Sequence, residues 1–262
     1  MRRILVQVYE IQEPSEAEGL LGLGVDKMGS VLLSREAWKV PAIRDVMTLL
    51  RAENVKSCLI PLFNDEGDLC RALDYYEPRI LHFCEALQYP PTPGNPGADR
   101  QWEPLSTLQR NLKNRYPELD IMRSIPIPRQ GKIEPRSAAA AIGQLVDRFA
   151  PVSDWFLTDT LLGDHNAAVF HEEPVAGYVG ITGETCDWDL AADLVAKSPI
   201  PVILAGGISP ENVYEAIRKV RPAGIDSCTR TNLLDNEGRP VRFRKDREKV
   251  RRLVEETRRA EK

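Results

Sequence analysis

Histidine is scarce in this 262-residue chain, at three copies, and cysteine is little commoner, at five. The cysteines (58, 70, 84, 186 and 228) are scattered, odd in number and form no C-x-x-C pair. That excludes a disulfide framework and a structural zinc site, and it points to a reducing compartment. His165 and His171 have no partner at metal-ligand spacing, so no metal site is expected. Long hydrophobic runs are missing too: no stretch approaches the roughly 18 apolar residues of a membrane span. The apolar run after Arg2 and Arg3 is cut short by Gln7, Glu10 and Glu13, too early for a signal-peptide core. Nor is there a cationic excess, with 35 Lys and Arg against 39 Asp and Glu. A nucleic-acid footprint over the whole domain is excluded on that balance. The expectation is a cytoplasmic protein with neither membrane nor nucleic acid as partner. What is present, 42% hydrophobic and 28% charged residues, suffices for a full globular core.

Eight short runs rich in Val, Ile, Leu or Phe read as strands buried on both faces. They are Ile4–Val8, Lys27–Leu33, Ser57–Leu62, Ile80–Cys84, Asp120–Ile125, Trp155–Thr158, Pro201–Ala205 and Gly224–Cys228. Helical patterns follow each of them, near 15–23, 41–52, 66–76, 105–116, 135–149, 188–196, 210–220 and 244–260. Asp187 reads as the N-cap of one, and Ser209 before Pro210 as the N-cap of another. Eight strand–helix units in this length predict an α/β protein, one (β/α)8 TIM barrel spanning 1–262. A doubly wound sheet needs a glycine-rich turn after its first strand, where this chain has Tyr9-Glu10-Ile11-Gln12. Three segments break the rhythm. The proline-rich stretch Tyr89–Pro104 reads as a loop inserted after strand four. Thr160–Gly183 is a long connection after strand six, and Arg242–Lys262 reads as a charged, solvated last helix.

In such barrels chemistry sits at the C-terminal ends of the strands, and phosphate commonly binds after strands seven and eight. Strand seven ends in Gly206-Gly207, which allows close approach of main chain to an anion or simply makes a tight turn. Strand eight runs into Asp226, Ser227, Thr229 and Arg230, with the arginine either a bidentate phosphate donor or a solvated loop residue. Asp159, ending strand six, is placed for general acid work or for capping a loop. His82, on strand four, reads as a satisfied lumen histidine.

Three segments resemble one known family. Thr182-Gly183-Glu184-Thr185-Cys186-Asp187-Trp188 looks like its G-G-T-G-K-T-F-D-W. Pro201 to Val213 is similar to its P-V-I-L-A-G-G-L-x-P-E-N-V, and Phe156-Leu157-Thr158-Asp159-Thr160 resembles its L-L-D-T. Ile11, Pro14, Ala17, Gly24-Val25-Asp26 and Gly29 follow its opening frame. The family is phosphoribosylanthranilate isomerase, a barrel of tryptophan biosynthesis. The resemblance implies a cofactor-free Amadori isomerisation of an N-linked phosphoribose, with Asp159 as general acid. It places the phosphate at Gly206, Gly207 and the loop from Ser227, with Thr182 and Gly183 beside it.

The departures fall on chemistry. The family's strand-one K-I-C-G-I-T stands here as Gln7-Val8-Tyr9-Glu10-Ile11-Gln12, so Tyr9 occupies the place of the basic cysteine. The base therefore falls to Tyr9 or to Glu10. Trp38 stands in the frame of the arginine that grips the substrate carboxylate, leaving Arg35 or Lys39 as stand-ins or Trp38 as a stacking surface. Two further readings follow: a barrel acting on another phosphosugar, or a non-catalytic barrel binding a metabolite or a protein partner. Oligomeric state is not legible in one chain.

Overall fold

The computed structural model describes residues 3–89, 96–162 and 176–262, without the side chains of 96–99. Eight parallel strands close into a barrel in sequence order. They are β1 (Leu5–Val8), β2 (Lys27–Leu32), β3 (Lys56–Pro61), β4 (Ile80–Phe83), β5 (Asp120–Pro128), β6 (Trp155–Leu161), β7 (Val202–Leu204) and β8 (Gly224–Ser227). Gln7 of β1 pairs with Lys27 of β2 on one side and Asp226 of β8 on the other, which seals the ring. The helices are α1 (Pro14–Leu20), α2 (Pro41–Ala52), α3 (Glu66–Tyr76), α4 (Pro96–Arg115), α5 (Pro135–Phe149), α6 (Trp188–Lys197), α7 (Val213–Val220) and α8 (Arg247–Ala260). No helix among the described residues is long and apolar enough to cross a membrane.

Local chemistry explains the element ends. α1, α2 and α5 begin on a proline in the first turn, where the missing N–H costs nothing. Asp65, Asp187 and Asp246 each accept main-chain N–H groups at the start of α3, α6 and α8. Alternate strand residues face outward to the helices, where Ile125, Phe156, Leu204 and Ile225 meet Leu145, Phe149, Leu194 and Leu253. The others face the lumen, among them Tyr9, Ile60, Met122, Leu157 and Ile203.

Three expectations are corrected. Residues 96–104 are not an inserted loop but the first turns of α4. Trp102, Leu105, Leu108 and Leu112 of this helix are buried, and that burial outweighs the hydrogen bond lost at Pro104. Pro90 to Asn95 lie outside the described residues. α7 starts at Val213, because Ser209 and Asn212 are spent on a preceding turn, Ser209 N–H donating to Asn212 Oδ1 at 2.9 Å. The charged tail does not begin as helix. Pro240–Lys245 is a strand, β10, paired antiparallel with β9 (Asn232–Leu234), and α8 then buries Val250, Leu253 and Val254.

Candidate active site

At the C-terminal mouth, side chains from β1, β4, β5 and β6 meet in one hydrogen-bonded row. Tyr9 Oη lies 2.7 Å from His82 Nδ1, and His82 Nε2 lies 2.9 Å from Ser124 Oγ. Ser124 Oγ in turn donates to Asp159 Oδ2 at 2.7 Å. Each partner faces inward, Tyr9 from the residue just after β1 and the others from within their strands, so the row is a product of barrel closure and invisible to sequence spacing. Burial, with the nearby charges of Arg123 and Lys27, holds His82 down to about 3, so the ring is neutral. Burial pushes the Tyr9 phenol well above its ordinary value, reinforced by Cys58 and Asp226. The ring of Tyr9 occupies the space a side chain at Gly29 would need: a Cβ there would lie 2.0 Å from Tyr9 Cε1.

Tyr9, His82 and Asp159 line a hollow of about 60 Å³ together with Glu10, Asp226 and an apolar wall that includes Val31, Ile60, Leu62 and Val179. Its cover is the segment after β6, where Val179 N–H donates to Cys84 O and Ala86 N–H to Gly177 O. Asp226 is pushed up to about 8, first by burial and then by the facing charge of Asp159, against the pull of its hydrogen bond from Gln7 Nε2. Asp226 is therefore held protonated at neutral pH. Below, Lys27 Nζ lies 3.4 Å from the Trp155 ring centroid with no hydrogen-bond partner among the described residues, and burial lowers it to about 8.

A second, adjoining hollow of about 30 Å³ shares Asp159 and Asp226 with the first. It is lined by Thr182, Gly183, Gly206, Gly207, Thr229 and Arg230. Gly206 and Gly207 have φ of 90° and 62°, and a Cβ on Gly207 would meet the main chain of Glu184 and Thr185 at 2.7 Å. Arg230 Nε donates to Gly183 O at 2.8 Å, which fixes the guanidinium beside the glycine turn. Thr229 Oγ1 is buried with no hydrogen-bond partner among the described residues. A buried hydroxyl left so is a donor in want of an acceptor.

The remaining candidates are placed differently. Ser227 is outside both linings, because its hydroxyl donates to Ile208 O at 2.7 Å and joins two loops instead. Arg35, Trp38 and Lys39 are outside both as well. Arg35 pairs with Asp68, Trp38 packs edge-on against Tyr75, and Lys39 lies over the Tyr75 ring, so α3 holds all three away from the mouth. Glu10 does reach the hollow, but its Oε1 is held by Arg242 of β10 at 2.5 Å. Its backbone has φ 65°, in the left-handed region that favours glycine. His165 and His171 lie outside the described residues, among which no cluster of His, Cys, Asp and Glu could hold a metal. His82 is the satisfied lumen histidine expected, with both ring nitrogens partnered, whereas sequence reasoning missed Ser124 and Arg242.

Fold and mouth together define a (β/α)8 barrel with a glycine-walled, arginine-bearing hollow set against a cluster of titratable lumen side chains. Residues 132–229 match the family model described as N-(5'-phosphoribosyl)anthranilate (PRA) isomerase. An N-(5'-phosphoribosyl)anthranilate isomerase of Haloferax volcanii is 48% identical over 77 residues, 29% of this chain and 29% of that protein. One of Methanosarcina acetivorans is 30% identical over 155 residues, 59% of this chain and 57% of its own. The solved isomerase of Pyrococcus furiosus superposes with a TM-score of 0.66 at 18% identity, covering 98% of this chain and 100% of that one, a likeness of fold. The chain is thus similar to phosphoribosylanthranilate isomerases over part of its length. It spans less than a third of the first of those two curated relatives and little more than half of the second.

Proposed function

We propose that the protein isomerises an N-linked phosphoribose, N-(5'-phosphoribosyl)anthranilate in the first instance, by a cofactor-free aldose-to-ketose rearrangement. The observation that carries this reading is Asp159, which stands on the wall common to the two hollows. A substrate with its phosphate against Gly206, Gly207, Thr229 and Arg230 brings its sugar to that carboxyl group. Arg230 supplies fixed donors and the glycine turn supplies main chain unobstructed by Cβ, the usual means of holding phosphate in this fold. Asp159 acts as general acid on the ring oxygen. Tyr9, across the hollow, is the general base at C2; Glu10 is spent on Arg242.

The test is turnover of N-(5'-phosphoribosyl)anthranilate, followed by loss of its fluorescence, in the wild type and in Asp159→Asn. Wild-type turnover with at least a ~10²-fold fall in the variant is expected from the usual worth of an acid catalyst. Inorganic phosphate should raise the melting temperature of both. A wild type that binds phosphate but leaves the substrate untouched would sink the assignment. One observation favours a second substrate within the same class. The wall formed by Val31, Ile60 and Leu62 is apolar, and Arg35 and Lys39, the two residues expected to meet a carboxylate, lie elsewhere. An uncharged group in place of the anthranilate suits that wall better.

A further inference from the structure

We propose that His82 and Ser124 form a proton wire that joins the base to the acid, so that Tyr9 and Asp159 act as one unit. The inference rests on the isomerase reading above. The row has a direction. The Asp159 carboxylate can only accept, so Ser124 donates to it and must accept from His82 Nε2–H. The neutral ring then presents Nδ1 without hydrogen, and that atom accepts from the Tyr9 phenol. Every link lies between 2.7 and 2.9 Å, and Tyr9, His82 and Ser124 are all buried, which leaves bulk water no direct part in the transfer.

The wire supplies what each end lacks. Asp159, which accepts from Ser124, needs a proton to act as an acid, and a buried phenol is a poor base until it loses its own. In the forward run the Tyr9 O–H bond breaks as Nδ1–H forms. Nε2–H then breaks as a new Ser124 O–H forms, and the old Ser124 proton passes to Asp159. Asp159 delivers it to the ring oxygen as the C1–O bond breaks, with the electron pair leaving on oxygen. The phenolate now faces an iminium and takes the C2 proton; the C2–H pair becomes the C1=C2 bond and the C1=N π pair returns to nitrogen. Tyr9 returns that proton to C1, while Asp159 takes the proton of the C2 hydroxyl as the ketone forms. The wire then runs backward from Asp159 to Tyr9. Every group regains its starting hydrogen, and the imidazole regains its starting tautomer.

His82 and Ser124 are positioning residues, since neither touches the reacting atoms. Steady-state turnover of N-(5'-phosphoribosyl)anthranilate is measured in the wild type, Ser124→Ala, Ser124→Thr and Asp159→Asn. Mixed light and heavy water reads the number of protons in flight. Ser124→Ala should lose roughly 10²-fold in kcat with KM within about threefold, the range of proton-transfer catalysis. Ser124→Thr, which keeps the hydroxyl, should recover to within about tenfold. The wild-type dependence on heavy-water fraction should be curved, as for several protons, and linear in Ser124→Ala. Full kcat in Ser124→Ala beside an inactive Asp159→Asn would overturn the wire and leave the isomerase standing. An inert wild type would overturn the isomerase, and the wire's use with it. The ¹⁵N spectrum of His82 decides the chain separately from any activity. One protonated and one bare nitrogen at pH 7 supports it, and two protonated nitrogens overturn it.

Discussion

Asp226 shows how a single buried group writes its own pH dependence. Its carboxyl is raised from 3.8 in the free residue to about 8 in the fold, chiefly by burial and then by Asp159. The unfolded chain ionises first, so this residue's contribution is intact below about pH 4 and is lost as the pH climbs toward 8. Asp226→Asn keeps an oxygen for Gln7 and removes the charge. Denaturant unfolding should therefore show the variant near wild type at pH 5 and more stable at pH 8.5. A difference that stays flat with pH would contradict the placement of that proton. His82 bends the wild-type curve the other way, because a ring held at about 3 loses stability as pH falls below 6.5. The comparison of variant with wild type isolates Asp226 from it. At this scale the glycines, Thr229, Arg230 and Asp159 were legible in the sequence because they lie in contiguous strand-end motifs. The wire was not, since its four members come from four strands and meet only when the barrel closes.

Among the elements, all eight barrel strands and the bounds of α2, α3 and α5 were legible, because an apolar run or an amphipathic face carries each of them. The β9–β10 pair left no such signal. Leu233, Leu234 and Val241 of this pair are exposed, and β10 alternates charged residues, so the segment resembles the start of the charged helix that follows. Yet this hairpin reaches the mouth. Arg242 holds the buried Glu10, and Lys245 Nζ donates to Cys228 O at 2.9 Å and to Asn232 Oδ1. Removing Arg242 strands a buried carboxylate whose second oxygen already lacks a hydrogen-bond partner among the described residues. Arg242→Ala should cost about 1–3 kcal/mol, less than a fully buried pair because the arginine is partly exposed. Glu10→Gln in the same chain should recover much of it. Additive losses in a double-mutant cycle of unfolding free energies would show that the two residues are uncoupled.

Over the whole molecule, the lumen is a single packing problem shared by eight strands. The resemblance to a family with a smaller residue at position 9 makes the Tyr9 ring against Gly29 the clearest case. Gly29→Ala alone should unfold at a markedly lower temperature, as overpacked cores do at about 1–3 kcal/mol or more. In a Tyr9→Cys background the same change should be nearly neutral, by thermal unfolding of the four chains of the cycle. Equal losses in both backgrounds would mean the ring yields more easily than its surroundings indicate. That coupling has a historical reading. With the large ring in place, the neighbouring strand is barred from gaining any side chain at position 29. Mutational routes that place a side chain at position 29 must shrink the ring first. The order of steps, and not only their sum, decides which descendants of this barrel are reachable.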